Sequence, residues 1–146
     1  VNLMETAPMT SASLQMTPSE SRRLARFLGW VSLGLGAAEV AAPRRLARAL
    51  GMEGREPLLQ LYGAREIASG VAILSTESAS SVWSRVGGDA LDIGTLALQL
   101  RRDNPKRGNV ALALAAVGGI TMLDWACAQA LTTTDRRRNG HAAERV

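Results

Sequence analysis

Redox and metal chemistry have little to work with in this chain. Among 146 residues there is one cysteine, Cys127, and one histidine, His141. A single cysteine excludes an internal disulfide, and one His with one Cys does not make a zinc or haem site of the usual type. No cofactor is therefore expected. Aromatic residues make up only 3%, too few for a large aromatic core or a base-stacking platform. No stretch reads as a strand, so there is no strand-borne glycine loop for phosphate. Ser69, Ser84 and Cys127 have no histidine near them in sequence to activate them, since His141 lies in a polar tail. The chain reads as non-enzymatic.

What the chain does have is an uneven distribution of apolar residues. Hydrophobic residues total 47%, and the mean hydropathy of +0.03 is low for a membrane protein, but both ends are polar and the apolar residues lie between them. Residues 1–18 hold Thr, Ser, Pro and Met without periodicity and read as a disordered segment. Residues 19–134 read as one helical membrane domain, and residues 135–146 as a charged, disordered tail. The first long helix is expected to begin at Ser19 as N-cap, with an apolar stretch from Phe27 to Ala42 broken only by Glu39. Pro43 then opens a short basic amphipathic helix to Leu50, closed by Gly51 and Gly54. Leu46, Ala47 and Leu50 share one of its faces, the pattern of an interfacial helix. A second long helix is predicted from about Glu56 to Ser75, a polar turn over 75–80, and a third helix from about Ser81 to Arg102. Asp103-Asn104-Pro105 breaks the chain, and a fourth helix follows from Lys106 to about Thr133. Its stretch Gly108–Leu123 carries no charge. The fold class that follows is all-α: a four-helix transmembrane bundle with a short amphipathic interfacial helix after the first span.

The net charge of +4 comes from arginine clusters that flank the apolar runs. No aromatic or recognition-helix pattern accompanies them, so no nucleic-acid partner is expected and they read as anchors to lipid headgroups. Both sides of the bundle would carry similar positive charge, and the positive-inside rule gives no orientation. Ser32/Gly36, Ala64/Ala68, Ala90/Gly94 and Ala115/Gly119 are small-xxx-small pairs suited to helix packing in lipid. A soluble Ala-rich bundle would explain the low hydropathy. It would not explain the charge-free fourth helix or the scarcity of polar residues in Ile67–Leu74 and Ile93–Leu100. A signal peptide in place of the first span is disfavoured by Glu39 late in its apolar run.

Seven ionisable residues lie inside the apolar zones: Glu39, Arg65, Glu66, Arg85, Asp89, Asp92 and Asp124. A charge at a span centre costs about 2.5–3.5 kcal/mol on insertion scales, so the third helix would not insert without partners. Arg85, Asp89 and Asp92 are spaced i, i+4, i+7 and share one face. An Arg85–Asp89 pair within the helix is expected, which leaves Asp92 for Arg65 on the antiparallel second helix. Glu39 follows Ser32 and Gly36 on one face, which sets its carboxylate against a neighbouring helix. With two arginines for five acids, three acids lack a cation and must be protonated, hydrogen-bonded or facing water. Such a core could move protons, bind a cationic or polar ligand, or only fix helix register through buried pairs. In a soluble helical enzyme or binding module the same residues would line a cleft.

The runs Leu28-Gly-Trp-Val-Ser-Leu-Gly-Leu-Gly-Ala-Ala-Glu39, Ala42-Pro-Arg-Arg-Leu-Ala-Arg-Ala-Leu-Gly51, Tyr62-Gly-Ala-Arg-Glu-Ile-Ala-Ser-Gly70 and Arg85-Val-Gly-Gly-Asp-Ala-Leu-Asp92 resemble a bacterial family of small membrane proteins often labelled cyclase/dehydrase. Related helical segments in that family occur fused to a polyketide-cyclase-like lipid-binding domain. The resemblance covers about residues 22–131. It implies a multi-pass protein of the bacterial cytoplasmic membrane, in contact with membrane lipids, acting as an anchor or partner for a cyclase-like lipid-handling protein. A bundle of this size is also compatible with a homo-oligomer. The chain departs from the fused relatives in lacking the long antiparallel sheet of the cyclase-like domain, so no cyclase or dehydratase activity is carried over.

Overall fold

The computed structural model describes residues 16–143 of the chain; the N-terminal segment expected to be disordered lies outside them as far as residue 15. Five helices follow one another: α1 (Pro18–Ala41), α2 (Pro43–Leu50), α3 (Glu56–Thr76), α4 (Ala79–Leu98) and α5 (Arg107–Ala143). The described residues contain no strand.

The helix boundaries depart from expectation for local reasons. Thr17, not Ser19, caps α1. Its hydroxyl accepts from the Glu20 backbone N–H at 3.3 Å, the Glu20 carboxylate accepts from the Thr17 N–H at 2.7 Å, and Pro18 occupies the first turn. That reciprocal capping box satisfies two N–H groups, where Ser19 as cap would leave Glu20 unused. Between α3 and α4 only Glu77 and Ser78 are non-helical, and α4 ends at Leu98, not Arg102. The largest correction is at the C-terminus, where α5 continues through Asp135, the start of the expected tail, to Ala143. No proline interrupts residues 107–143, and extending a formed helix is far easier than nucleating one.

The helices pack in chain order around a shared interior. α1 lies against α3 and α5, and α4 against the other flanks of α3 and α5. The α1–α3 contact is the closest, and glycine makes it so. A Cβ on Gly36 would stand 2.5 Å from the Gly63 carbonyl oxygen, and one on Gly63 would stand 2.7 Å from the Gly36 oxygen. Gly70 faces the Gly29 oxygen in the same way, at 2.8 Å. Pairing 29 with 70 and 36 with 63 makes the two helices antiparallel, with backbones nearly touching at two points seven residues apart. Of the small-residue pairs, Ser32/Gly36 lies in this contact. Ala64/Ala68, Ala90/Gly94 and Ala115/Gly119 are exposed.

At one end of the molecule the α3–α4 turn is tied to α1 by Arg26 and Arg22, which pair with Glu77. At the other end Asn104 joins two connections. Its amide donates to the Leu50 carbonyl at 3.0 Å and the Gln99 carbonyl at 2.9 Å, while its oxygen accepts from the Lys106 N–H at 2.8 Å. Gly51 ends α2 in the left-handed region, at φ +66, and leaves the room that Asn104 fills. The apolar core is split. Ala25, Leu28, Ile73, Val82, Cys127, Ala128 and Leu131 cluster toward the Glu77 end, and Ala47, Met52 and Leu59 cluster beside α2.

Large apolar side chains stand on the outer faces of the long helices. Trp30, Leu61, Leu112 and Met122 are among the large hydrophobics left 64–75% exposed. α1 and the Arg107–Arg137 part of α5 are long and apolar enough to cross a membrane, and only 17% of the most apolar window of α5 is buried. α3 and α4, which hold most of the ionisable side chains, do not meet that measure. Gly36→Ala should therefore lower stability by about 1–3 kcal/mol through overpacking, with Ala64→Val near neutral. Thermal unfolding of both variants in detergent checks this, and equal melting of Gly36→Ala and the parent would contradict the close contact.

Candidate functional site

Between the two apolar clusters all seven ionisable residues of the apolar zones come together in one layer. Its centre is Glu66, placed on α3 between the two glycine contacts and 1% exposed. Ser32 of α1 lies opposite, its Oγ 2.9 Å from the Glu66 carbonyl oxygen and also within reach of the Glu66 carboxylate. Arg85 of α4, equally buried, donates to the Glu66 carboxylate at 3.3 Å, to Asp124 of α5 at 2.8 Å and to the Leu28 carbonyl of α1 at 3.3 Å. One guanidinium thus touches three other helices. Arg65 donates to Glu66 at 2.8 Å and to Asp92 at 2.6 Å, and its guanidinium lies 5.8 Å from the centre of the Tyr62 ring. Gly88 makes room for it, since a Cβ there would fall 1.5 Å from Arg65 Nη1.

The expected Arg65–Asp92 pair is present and the expected Arg85–Asp89 pair is not. Arg85 stands between α3 and α5 and reaches outward to acids on both, so its fork is filled by Glu66 and Asp124. Asp89 instead accepts from the Thr121 hydroxyl at 3.1 Å. Glu39 does face α3, with its Cβ beside Gly63. The shortage of cations is distributed differently from the expected three orphaned acids. Each arginine bridges two carboxylates and Glu66 is shared, so Glu39 and Asp89 are the acids without an arginine contact.

Sequence reasoning missed the hydroxyls that complete the layer: Ser32 as a donor, Thr121, and the Tyr62–Thr95 hydrogen bond of 2.6 Å. A signal was available. Tyr62 precedes Arg65 by three residues, Thr95 follows Asp92 by three, and Thr121 precedes Asp124 by three, so each hydroxyl shares a helical face with its charge.

Even so, satisfaction is incomplete. Glu39 Oε2, Arg65 Nε, Asp92 Oδ1 and Asp124 Oδ1 are buried polar atoms without a hydrogen-bond partner. Each such atom costs about 1–3 kcal/mol unless a proton, water or ligand meets it. A metal is one candidate by distance, because carboxylate oxygens of Glu66, Asp89 and Asp92 lie within 4.8 Å of one another. The chemistry does not fit. Both Glu66 oxygens and Asp92 Oδ2 already receive arginine N–H groups, whereas a hard divalent cation needs several free oxygens and tolerates no guanidinium among them. No family model matches the chain, nor does any curated protein or solved structure.

Removing Arg85 should be severe. Arg85→Met strands Asp124 and leaves Glu66 with Arg65 as its one cation, and losing one partner of a buried pair costs about 3–5 kcal/mol. Adding Asp124→Asn should recover part of the loss. A double-mutant cycle by thermal unfolding in detergent reads the coupling, and strictly additive losses would contradict the pairing.

Proposed function

We propose that the chain is a small multi-pass protein of the bacterial cytoplasmic membrane, with α1, α3, α4 and α5 as four spans and α2 at the interface. Its buried acidic layer takes up protons or a cation on a path through the bundle. The observation that carries this reading is the reversed partition of side chains. Glu66, Arg85, Asp89 and Asp124 are buried, while Phe27, Trp30, Leu112, Met122 and Trp125 are exposed. In water this arrangement would cost on both counts, and in lipid it is favourable on both. α3 and α4 are too charged to insert alone, but Arg65–Asp92 and Arg85–Asp124 pair those charges across helices, which supports their insertion as a group.

Uptake of positive charge is supported by the surplus of carboxylates over arginines and by the unpartnered oxygens of Glu39, Asp92 and Asp124. Intramembrane acids facing a bundle interior are the usual machinery of proton and cation pathways. The second reading is an anchor for a cyclase-like lipid-handling partner. It is supported by the family resemblance and by the exposed arginines Arg44, Arg45 and Arg48 on α2.

Two measurements test the proposal in sequence. Membranes from cells expressing the full chain should retain it through a carbonate wash, and release into the soluble fraction would overturn the membrane reading. In liposomes loaded with a pH-sensitive dye, the reconstituted protein should give a proton flux that falls at least tenfold in Asp89→Asn and Asp92→Asn. Flux unchanged in both variants would overturn the pathway and leave the anchor reading, which co-purification with a partner protein would then support.

A further inference from the structure

One cavity is lined by residues of all five helices. It measures about 150 Å³ and lies beside α2, where Leu46 and Leu50 form part of its wall. Two of its lining residues are acids, Glu39 of α1 and Asp92 of α4. Each keeps one buried carboxylate oxygen, Glu39 Oε2 and Asp92 Oδ1, without a partner. Tyr62 and Thr95 stand on the same wall, their hydroxyls already bonded to each other. The rest of the lining is aliphatic apart from the Met52 side chain.

We infer that this cavity binds a small hydrophobic ammonium ion, a compact hydrocarbon body bearing one protonated amine. The inference rests on the cation-uptake reading above and names the class of cation. Three observations select the class. Two carboxyl groups in a largely aliphatic wall call for a donor with positive charge, and the Arg65 group that reaches Asp92, Nη2, is shared between Glu66 and one Asp92 oxygen. A bare alkali or divalent ion would need a shell of oxygens that an aliphatic wall does not supply. The volume is comparable to cavities that hold a benzene-sized molecule, so the ligand has room for a ring or short branched chain but not for a lipid tail or a fused aromatic dye. An ammonium group offers three N–H donors for the Glu39 and Asp92 carboxyl groups of the lining, while its hydrocarbon meets Leu46, Leu50 and their neighbours.

The test is binding of cyclohexylammonium to the full-length protein in lipid nanodiscs, by calorimetry, with cyclohexanol as the neutral isostere and sodium chloride as the bare cation. Saturable binding of the amine is expected, at least tenfold tighter than either control and weakened at least tenfold in Glu39→Gln. Because an acid variant may disturb packing, Leu46→Trp serves as a second probe. It leaves both carboxylates in place, fills the cavity from α2 and should abolish binding while the protein keeps its parent melting behaviour. Equal affinity for the amine and the alcohol, or unchanged amine binding in both Glu39→Gln and Leu46→Trp, would overturn the inference. The carbonate wash and proton flux of the same preparation separate the two levels. An integral protein with acid-dependent flux and no amine binding refutes only the ligand class, whereas loss of flux dependence refutes the reading beneath it.

Discussion

The near contact of the α1 and α3 backbones governs the rest of the molecule. Gly29 against Gly70 and Gly36 against Gly63 bring two helices together at two points, and Glu66 lies between those points on the contact face. No route to solvent is left for its carboxylate, so it must be met from inside the bundle. Ser32 meets it from α1, Arg65 from its own helix and Arg85 from α4. Burying Arg85 for this purpose creates a further demand, because its remaining N–H groups also need partners. Asp124 and the Leu28 carbonyl supply them. One packing decision in the glycines therefore propagates into a network that ties α3, α4, α5 and α1 in a single register.

That network would close on itself if register were its only task. Two arginines bridging Glu66, Asp92 and Asp124 already connect every long helix, and a fully satisfied network could stop there. Glu39 and Asp89 exceed what the arginines hold, and unpartnered oxygens remain on Asp92 and Asp124. Surplus carboxylates in a low-dielectric interior destabilise the fold unless a proton, water or cation meets them. Sites that keep such a debt are those where structure yields to function. The structural and the proposed functional readings of the layer therefore apply to different atoms: the bridged oxygens hold the helices, and the unpartnered ones are those the proposed uptake would use.

Much of this was legible in the sequence. Four long helices, the short amphipathic helix at Pro43, the membership of the polar layer and the Arg65–Asp92 pair all follow from apolar runs, breakers and i, i+4, i+7 spacing. The failures share a cause, which is that a face on one helix does not reveal which neighbour it meets. Arg85 and Asp89 are well spaced to pair, yet α4 lies between α3 and α5, and interhelical partners win over the intrahelical one. Small-xxx-small spacing found Ser32/Gly36 but could not tell the inward Gly63 and Gly70 from the outward Ala64 and Ala68 in so Ala-rich a chain. Charge density in the C-terminal residues reads as disorder, yet α5 runs on to Ala143, through Asn139 and Gly140 and with no proline to end it.

The placement of the two apolar clusters gives the polar layer a direction. Toward the Glu77 end, Leu28, Ile73, Val82 and Cys127 are fully buried and form a solid plug across α1, α3, α4 and α5. Toward α2 the packing is thinner: Ala47, Met52 and Leu59 form a small cluster beside the cavity that Glu39 and Asp92 line. On the proposed pathway, a proton or cation would meet the layer from the α2 side, passing under a basic amphipathic helix whose position is set by Asn104 and by Asn109, which donates to the Ala49 carbonyl. Passage beyond the layer would require the Leu28–Ile73–Val82 plug to part, and the helices that form it are the ones Arg85 holds together. A charge that displaced Arg85 from Glu66 or Asp124 would weaken the same joint that closes the far side. On the proposed pathway, occupancy of the acids and opening of the plug would be coupled through one guanidinium, Arg85, because the same side chain holds Glu66, Asp124 and the Leu28 carbonyl.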